Sequence, residues 1–360
     1  MRLVGVFATS TPYGYWGFAA VRYAMQILYG DVHHIHCLSL DELREAWLRR
    51  EGRNVLFTSD CPDAAISDLF ISANAPMIAF LDDAEDAIAY AKESRQFNLP
   101  QALSLSTQCF CALAPTLVDP HVACFPSRHY EDDVRDLFRT LLVLLEGTAE
   151  TEQLEEVMRA AIFDYRPGMF MTVEESVSQH FPQASVRGEA LAAQTAEARH
   201  LLTMVANAYR PIFDRKGLSN LVWPRELFFT CNEGYGHPEH IELTGPARCL
   251  IWGPYLHLPP GQWVARVEFE VRANWTGNAL EADIYDGADI MAIIRTELPA
   301  EGIFSFELPF SLATCDRRLE IRLYLMKGAI EGQLGLRSVS LWQNAPSLQN
   351  RFYQSKYMSV

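Results

Sequence analysis

Through the first 217 residues, short continuous apolar runs alternate with longer stretches in which apolar residues recur every three or four positions. That pattern predicts strands at 2–8, 32–38, 54–59, 76–82 and 121–127, joined by helices near 15–29, 40–50, 63–73, 84–96 and 101–117. Strands that read as unbroken apolar runs are buried on both faces, so the expected layout is a parallel sheet sandwiched by helices. Beyond residue 128 the strand pattern stops. Helical periodicity covers 131–146, 150–162, 171–181 and 188–214, punctuated by Gly147 and the Arg166-Pro167-Gly168 turn.

The period changes near Asn220. From there apolar and polar residues alternate over Trp263–Val271, Leu280–Tyr285, Ile303–Leu308, Leu319–Met326 and Leu334–Trp342, with Gly, Pro and Asn between the runs. Short strands at this spacing, without helical periodicity between them, predict a C-terminal antiparallel β-sandwich of jelly-roll type. The expected fold class is therefore α/β plus all-β, with domains at 1–217 and 222–345 and a tail at 346–360. Trp252 and Trp263 are expected in the second core.

Composition narrows the partners. Lys and Arg number 30 against 45 Asp and Glu, a formal charge of −15, and there is no basic run. Binding to nucleic acid or to an anionic membrane surface needs cationic density at the contact, so neither is expected. No apolar run approaches the roughly 18 residues of a membrane span, and the opening run Leu3–Ala8 is short for a leader. A cytoplasmic protein is expected. The eight cysteines lie mostly inside apolar runs, where free thiols act as small hydrophobes, and Cys109 and Cys111 are spaced C-x-C without a second Cys/His pair at zinc spacing. Neither disulfides nor a metal are expected. Asp283, Asp286 and Asp289 around Gly287 have calcium-loop spacing but no Glu at the twelfth position.

In an open parallel sheet, ligands sit at the carboxyl ends of the strands. The first such turn, Thr9-Ser10-Thr11-Pro12-Tyr13-Gly14-Tyr15-Trp16-Gly17, is rich in hydroxyls but has neither a P-loop nor a G-x-G-x-x-G spacing, and no cation. It reads as a ligand turn or as an ordinary helix cap. At the end of the third strand, Asp60 and Asp63 are the candidate catalytic residues, either being placed to act as general base on an acceptor hydroxyl; the competing reading is an N-cap for the next helix. His34 and His36 share one face of a strand and His33 takes the other, an arrangement more in keeping with a packed pair than with a metal site.

Three stretches carry a resemblance. The opening strand with Thr11–Trp16, the segment Pro76–Tyr90, and Arg128-His129-Tyr130-Glu131-Asp132 with its following helix resemble the bacterial sulfotransferase family, which uses the nucleotide PAPS on a P-loop-like sheet. The resemblance implies that Ser10, Thr11, Tyr13, Gly14, Tyr15 and Trp16 lie where the family holds the 5′-phosphosulfate, and that Asp82 and Tyr90 lie where it holds the 3′-phosphate. The departures are as informative. The basic position of the first loop falls on Tyr13, the 3′-phosphate Arg on Asp82 and the Ser on Tyr90. Each change removes a phosphate donor, and a carboxylate about 4 Å from a phosphate charge costs about 4 kcal/mol at an effective dielectric near 20. The implied domain keeps the scaffold and loses the donor site.

In the second domain, Gly253-Pro254-Tyr255-Leu256-His257-Leu258-Pro259-Pro260-Gly261-Gln262-Trp263 resembles a pattern of carbohydrate-binding-module-like jelly rolls that accompany bacterial polysaccharide enzymes. Sugars are held by aromatic faces flanked by polar side chains, and Tyr235, Trp275 and Tyr285, near expected turns, are the candidates. The leading expectation is a non-catalytic accessory protein of bacterial polysaccharide biosynthesis, without a cofactor, that binds a glycan or docks on glycan-synthesis machinery. The alternative is a carbohydrate sulfotransferase with PAPS held by backbone N–H groups and Arg95 or Arg128. A third reading is a purely structural subunit that self-associates.

Overall fold

A computed structural model describes residues 2–182, 188–231 and 238–344, and the chain divides into two compact units, residues 1–217 and 218–360. The first unit runs β1 (Arg2–Ala8), α1 (Pro12–Tyr29), β2 (Val32–His36), α2 (Leu40–Leu48), β3 (Asn54–Ser59), α3 (Ala64–Ser72), β4 (Met77–Leu81), α4 (Ala84–Ser94), α5 (Leu99–Leu117) and β5 (Val122–Pro126). Five helices follow: α6 (Val134–Glu146), α7 (Thr151–Ala161), α8 (Val173–His180), α9 (Glu189–Ala192) and α10 (Ala196–Phe213). The sheet is parallel throughout, in the order β2-β3-β1-β4-β5.

Local chemistry sets the helix starts. Thr11 caps α1 by accepting the Gly14 N–H, with Pro12 opening the first turn, and reciprocal capping boxes join Ser39 to Glu42, Asn98 to Gln101 and Thr172 to Glu175. The single helix expected at 188–214 is two, because the Thr195 hydroxyl accepts the Ala198 N–H and starts α10 afresh. The sheet is covered on both faces. Phe7, Phe57 and Phe70 pack together on one side, while Trp16 and Phe80 meet on the other, where Trp16 also touches Phe138.

The second unit runs β6 (Asn220–Pro224), β7 (Phe229–Thr230), β8 (Ile241–Glu242), β9 (Arg248–Trp252), β10 (Pro254–Leu256), β11 (Gly261–Arg272), β12 (Ala279–Tyr285), β13 (Ile290–Glu297), β14 (Gly302–Leu312), β15 (Leu319–Leu325) and β16 (Gln333–Gln343). One antiparallel sheet is ordered β13-β12-β15-β9-β7 with β10 beside β15, the other β14-β11-β16-β6 with β8 beside β16. Trp223, Trp263, Phe269 and Leu323 fill the space between them. Strand β13 was not among the expected runs: at the edge of its sheet both faces stay partly open, so Ile290-Met291-Ala292-Ile293-Ile294 never alternates cleanly. Strand β14 extends past the expected end at 308 through Pro309, opposite Val264, which an edge strand tolerates because one of its sides needs no N–H donors.

Candidate functional site

In the first sheet β1 lies between β3 and β4, with α1 leading to β2 on one side and α3 crossing to β4 on the other, which makes the carboxyl end of β1 the crevice of this topology. The turn there is closed by its own backbone. The Thr11 N–H bonds the Thr9 carbonyl (2.8 Å), the Tyr15 N–H the Thr11 carbonyl (3.0 Å), and the Gly14 N–H the Thr11 hydroxyl (3.2 Å). Thr9 ties the turn to β4, its N–H donating to the Phe80 carbonyl and its hydroxyl accepting the Asp82 N–H (2.9 Å). Both glycines of the turn serve close packing: a Cβ on Gly14 would stand 2.1 Å from the Thr9 carbonyl oxygen, and one on Gly17 2.3 Å from the Phe80 ring.

Tyr13 and Trp16 point into the core. The Tyr13 ring packs on Tyr130, Phe80 and Trp16 and its hydroxyl donates to the Phe125 carbonyl (3.2 Å), while the Trp16 indole N–H donates to the Ser176 hydroxyl (3.0 Å). Ser10, Tyr15 and Asp60 come together at the crevice: both hydroxyls donate to the same carboxylate oxygen of Asp60, at 2.8 and 3.0 Å. Burial, reinforced by the Asp60 charge and hydrogen bond, raises the Tyr15 phenol well above its ordinary range. Asp63 stands apart as the exposed cap of α3, accepting the Ala65 N–H at 3.1 Å. Asp82 is buried and accepts the Asp83 N–H, and Tyr90 lies half-buried two turns into α4, where burial raises its phenol. His34 and His36 do share a face, both ring nitrogens meeting the Thr58 hydroxyl at 2.8 and 3.0 Å.

This turn does not fit a phosphosulfate nucleotide. Three of its N–H groups bond within the turn, the position of the family's cation is occupied by a core tyrosine, and the neighbouring strand ends supply Asp60 and Asp82. A cleft of about 830 Å³ beside β4 and β5 brings four cations, Arg128, Arg210, Arg215 and Lys216, together with four carboxylates, Asp83, Glu85, Asp86 and Asp214. Arg215 donates to the Leu117 and Asp119 carbonyls, Lys216 pairs with Asp214, and Arg210 reaches Asn207. Arg210, Arg215 and Lys216 were missed in the sequence; the signal was a basic cluster closing the last helix.

A second candidate surface forms on the outer face of the β12–β15–β9 sheet. Asp283 on β12 and Arg322 on β15 are register partners joined by two parallel hydrogen bonds (2.7 and 2.8 Å). The guanidinium lies 4.3 Å from the Tyr285 ring centre and 5.6 Å from that of Tyr324. Tyr255 on β10 donates to Glu320 (3.1 Å), and its ring neighbours Phe229, which runs nearly parallel to Trp252. Burial raises the Glu320 carboxyl, against the opposing hydrogen bond from Tyr255, and pushes the Tyr255 and Tyr324 phenols up to about 12. The Arg322 guanidinium is raised further still by its hydrogen bonds to Asp283.

Trp263 is in the core as expected, but Trp252 is half-exposed on this outer face. A bulge explains the difference: Leu323 pairs with Ile251 and Tyr324 with Cys249, so Ile251 turns inward and Trp252 outward. Tyr285 belongs to the face. Trp275, 68% exposed, precedes the start of β12 while Tyr285 ends it, and seven residues of strand separate them by about 20 Å. Tyr235 lies outside the described residues. Asp286 accepts the Ala288 and Asp289 N–H groups and pairs with Arg317 at 2.7 Å, an arginine where a calcium loop would need a metal. Among the described residues no group of three His, Cys, Asp or Glu is placed to hold a metal ion, and no helix is long and apolar enough to cross a membrane.

No protein-family model matches the chain, and no curated protein does. Solved structures similar to it include a mouse sulfotransferase, SULT7A1, complexed with PAP (10% identity over 59% of this chain and 88% of that one, TM-score 0.39) and a retinol dehydratase with retinol and PAP (11%, 60% and 82%, TM-score 0.36). They also include the C-terminal family 6 carbohydrate-binding module of a laminarinase from Zobellia galactanivorans (15% identity over 34% of this chain and 99% of that one, TM-score 0.22).

Proposed function

We propose that the chain is a glycan-binding accessory protein, in which the sandwich holds a glycan on the outer face of the β12–β15–β9 sheet and the α/β unit is a scaffold without donor chemistry. The observation that carries the reading is the gathering of Phe229, Trp252, Tyr255, Tyr285 and Tyr324, each half-exposed, around the Asp283–Arg322 pair and Glu320. Aromatic faces accept the C–H side of a sugar while flanking polar atoms take its hydroxyls. The poor fit of the first turn to phosphate supports the non-catalytic half. In this reading the setting is bacterial polysaccharide biosynthesis in the cytoplasm, with glycan or glycan-synthesis machinery as partner.

The test is affinity electrophoresis of the purified full chain through a panel of polysaccharides, followed by calorimetry on any that retard it. Retardation that Tyr324→Ala abolishes supports the reading; free migration through every gel overturns it. The second reading is a PAPS-dependent carbohydrate sulfotransferase with an atypical donor site, for which the four cations among the carboxylates of the cleft beside β4 and β5 are the available phosphate donors. PAP at about 100 times its Kd adds about 2.7 kcal/mol to a protein that binds it, so a rise of several degrees in the melting temperature of the first unit supports that reading and an unchanged one removes it.

A further inference from the structure

We propose that the groove beside α8, at an acidic corner of the first unit, docks a partner protein through a basic segment that carries an aromatic or aliphatic anchor. The inference goes beyond the glycan reading and does not depend on it.

The groove, of about 650 Å³, forms where the chain runs from the Arg166-Pro167-Gly168 turn into α8. Gly168 takes the left-handed conformation (φ 82°), and the Met169 N–H closes the turn on the Arg166 carbonyl (2.9 Å). Thr172 then bridges to Asp133 in antiparallel fashion, and the Val134 N–H bonds the Met171 carbonyl (3.0 Å). Around such a bridge successive side chains take opposite sides. Met171 enters the core, 3% exposed, while Phe170 stands outward, 66% exposed. The capping box of Thr172 and Glu175 starts α8 and brings Glu174 and Glu175 to the groove, whose apolar wall is Met169, Phe170 and Met171. Phe163, as exposed as Phe170, extends the apolar surface at the other end of α8, where its ring lies 5.9 Å from that of His180. One exposed phenylalanine is ordinary; two flanking a groove beside one short helix mark a contact surface.

Charge at this corner is one-sided. The Glu174 N–H bonds the Tyr130 carbonyl (3.0 Å) and the Val173 N–H the Asp132 carbonyl (3.1 Å), so the loop before α6 adds Glu131 and Asp132 to Glu174 and Glu175. Asp132 pairs with His129, and Glu175 accepts the Thr172 N–H. Among the described residues the Glu174 carboxylate has no ion-pair or hydrogen-bond partner. None of the described lining residues is Lys, Arg or His, and Arg135, at the start of α6, is spent on Glu155 and Tyr165.

The occupant is fixed by what this corner repels and what it leaves unpaired. A second copy brings a formal charge of −15 to an acidic rim, and an anionic membrane surface is repelled in the same way. A neutral ligand leaves Glu174 without a partner. A lysine or arginine answers both walls, its methylene stem lying on Met169 or Phe170 and its charged head reaching Glu174, while an apolar neighbour fills the rest of the groove.

The experiment pans short random peptides displayed on phage against the immobilised full chain, then measures the enriched sequences as synthetic peptides by fluorescence anisotropy. Peptides with Lys or Arg beside Phe, Leu, Ile or Trp are expected, each weakened about tenfold by Phe170→Ala and by Glu174→Lys. Exchanging the peptide's cation for Glu should restore binding to the Glu174→Lys variant. Enriched peptides that are acidic, or that lack an apolar residue, overturn the inference. So do peptides that neither substitution weakens, and so does a panning without enrichment. A dimer of the full chain in sedimentation that Phe170→Ala dissolves makes a second copy the occupant and overturns it as well. Both substituted side chains lie outside the core, and an unchanged melting temperature separates lost contact from lost fold. Retardation by polysaccharide should be the same in both variants as in the parent, so failure of the inference leaves the glycan reading standing.

Discussion

Replacing Arg322 by Met tests how the outer face is held together. The substitution keeps most of the side chain's length and removes the two hydrogen bonds that satisfy Asp283, a residue at the centre of β12 with its carboxylate almost fully enclosed. Removing one member of a buried ion pair costs about 3–5 kcal/mol because the other charge stays behind. Here the guanidinium side is 18% exposed, so water softens the loss and the lower end, about 3 kcal/mol, is expected. For a unit of this size each kcal/mol moves the midpoint by about 3–5 °C, a fall of about 9–15 °C in the sandwich transition. Scanning calorimetry of the full chain measures it, and the double replacement Asp283→Leu with Arg322→Met supplies the control. Removing both charges leaves no orphan, so the double variant should recover most of the loss. A single variant that melts within a degree or two of the parent, or a double variant as unstable as the single, would show that the pair does not carry the weight assigned to it.

Other outcomes follow from the same geometry. Gly17→Ala drives a Cβ into the Phe80 ring and should cost about 1–3 kcal/mol in a urea titration, against almost nothing for alanine at an open helix position. Tyr15 has a folded-state pKa above its unfolded value of 10.0, so its contribution is complete below pH 10 and is lost as pH rises toward the folded value; Tyr15→Phe should flatten that alkaline limb, and an unaltered limb would count against the Asp60 contact. Burial would raise Asp286, but two backbone N–H groups and Arg317 together hold it below 3.8, so its contribution is present at neutral pH and is lost as pH falls through 3.8 and below. Asp286→Asn should therefore lessen the acid sensitivity of the sandwich, measured as midpoint against pH.

The parallel sheet and the sandwich were both legible, because period two and period 3.6 leave opposite marks on a sequence and each unit follows one of them over long stretches. Edge elements were harder. Strand β13 keeps both faces partly wet and so never shows the alternation that betrays a half-buried strand. The helix break at Thr195 was hidden by apolar periodicity that resumes almost in phase after three residues. Trp252 was expected in the core, and its direction depends on a bulge at Leu250 in its own strand that the sequence around it does not announce. The outer face as a whole was illegible for a related reason: Asp283 and Arg322 are 39 positions apart, and Phe229 and Tyr285 belong to strands that meet only in the folded sheet. At the first turn, by contrast, the sequence exposed the missing cation directly; what it did not reveal was that Tyr13 and Gly14 are needed by the core.

On the glycan reading proposed above, Pro309 bears on how the sandwich would grip a long polymer. An edge strand with a full row of free N–H groups invites a neighbouring molecule to continue the sheet, and β14 has a gap in that row where the proline stands. Growth along that edge is discouraged, so copies of the chain gathered on one polysaccharide would sit as separate beads, each holding its own stretch. Tightness on long chains would then come from the number of repeats offered and not from a fused lattice of protein.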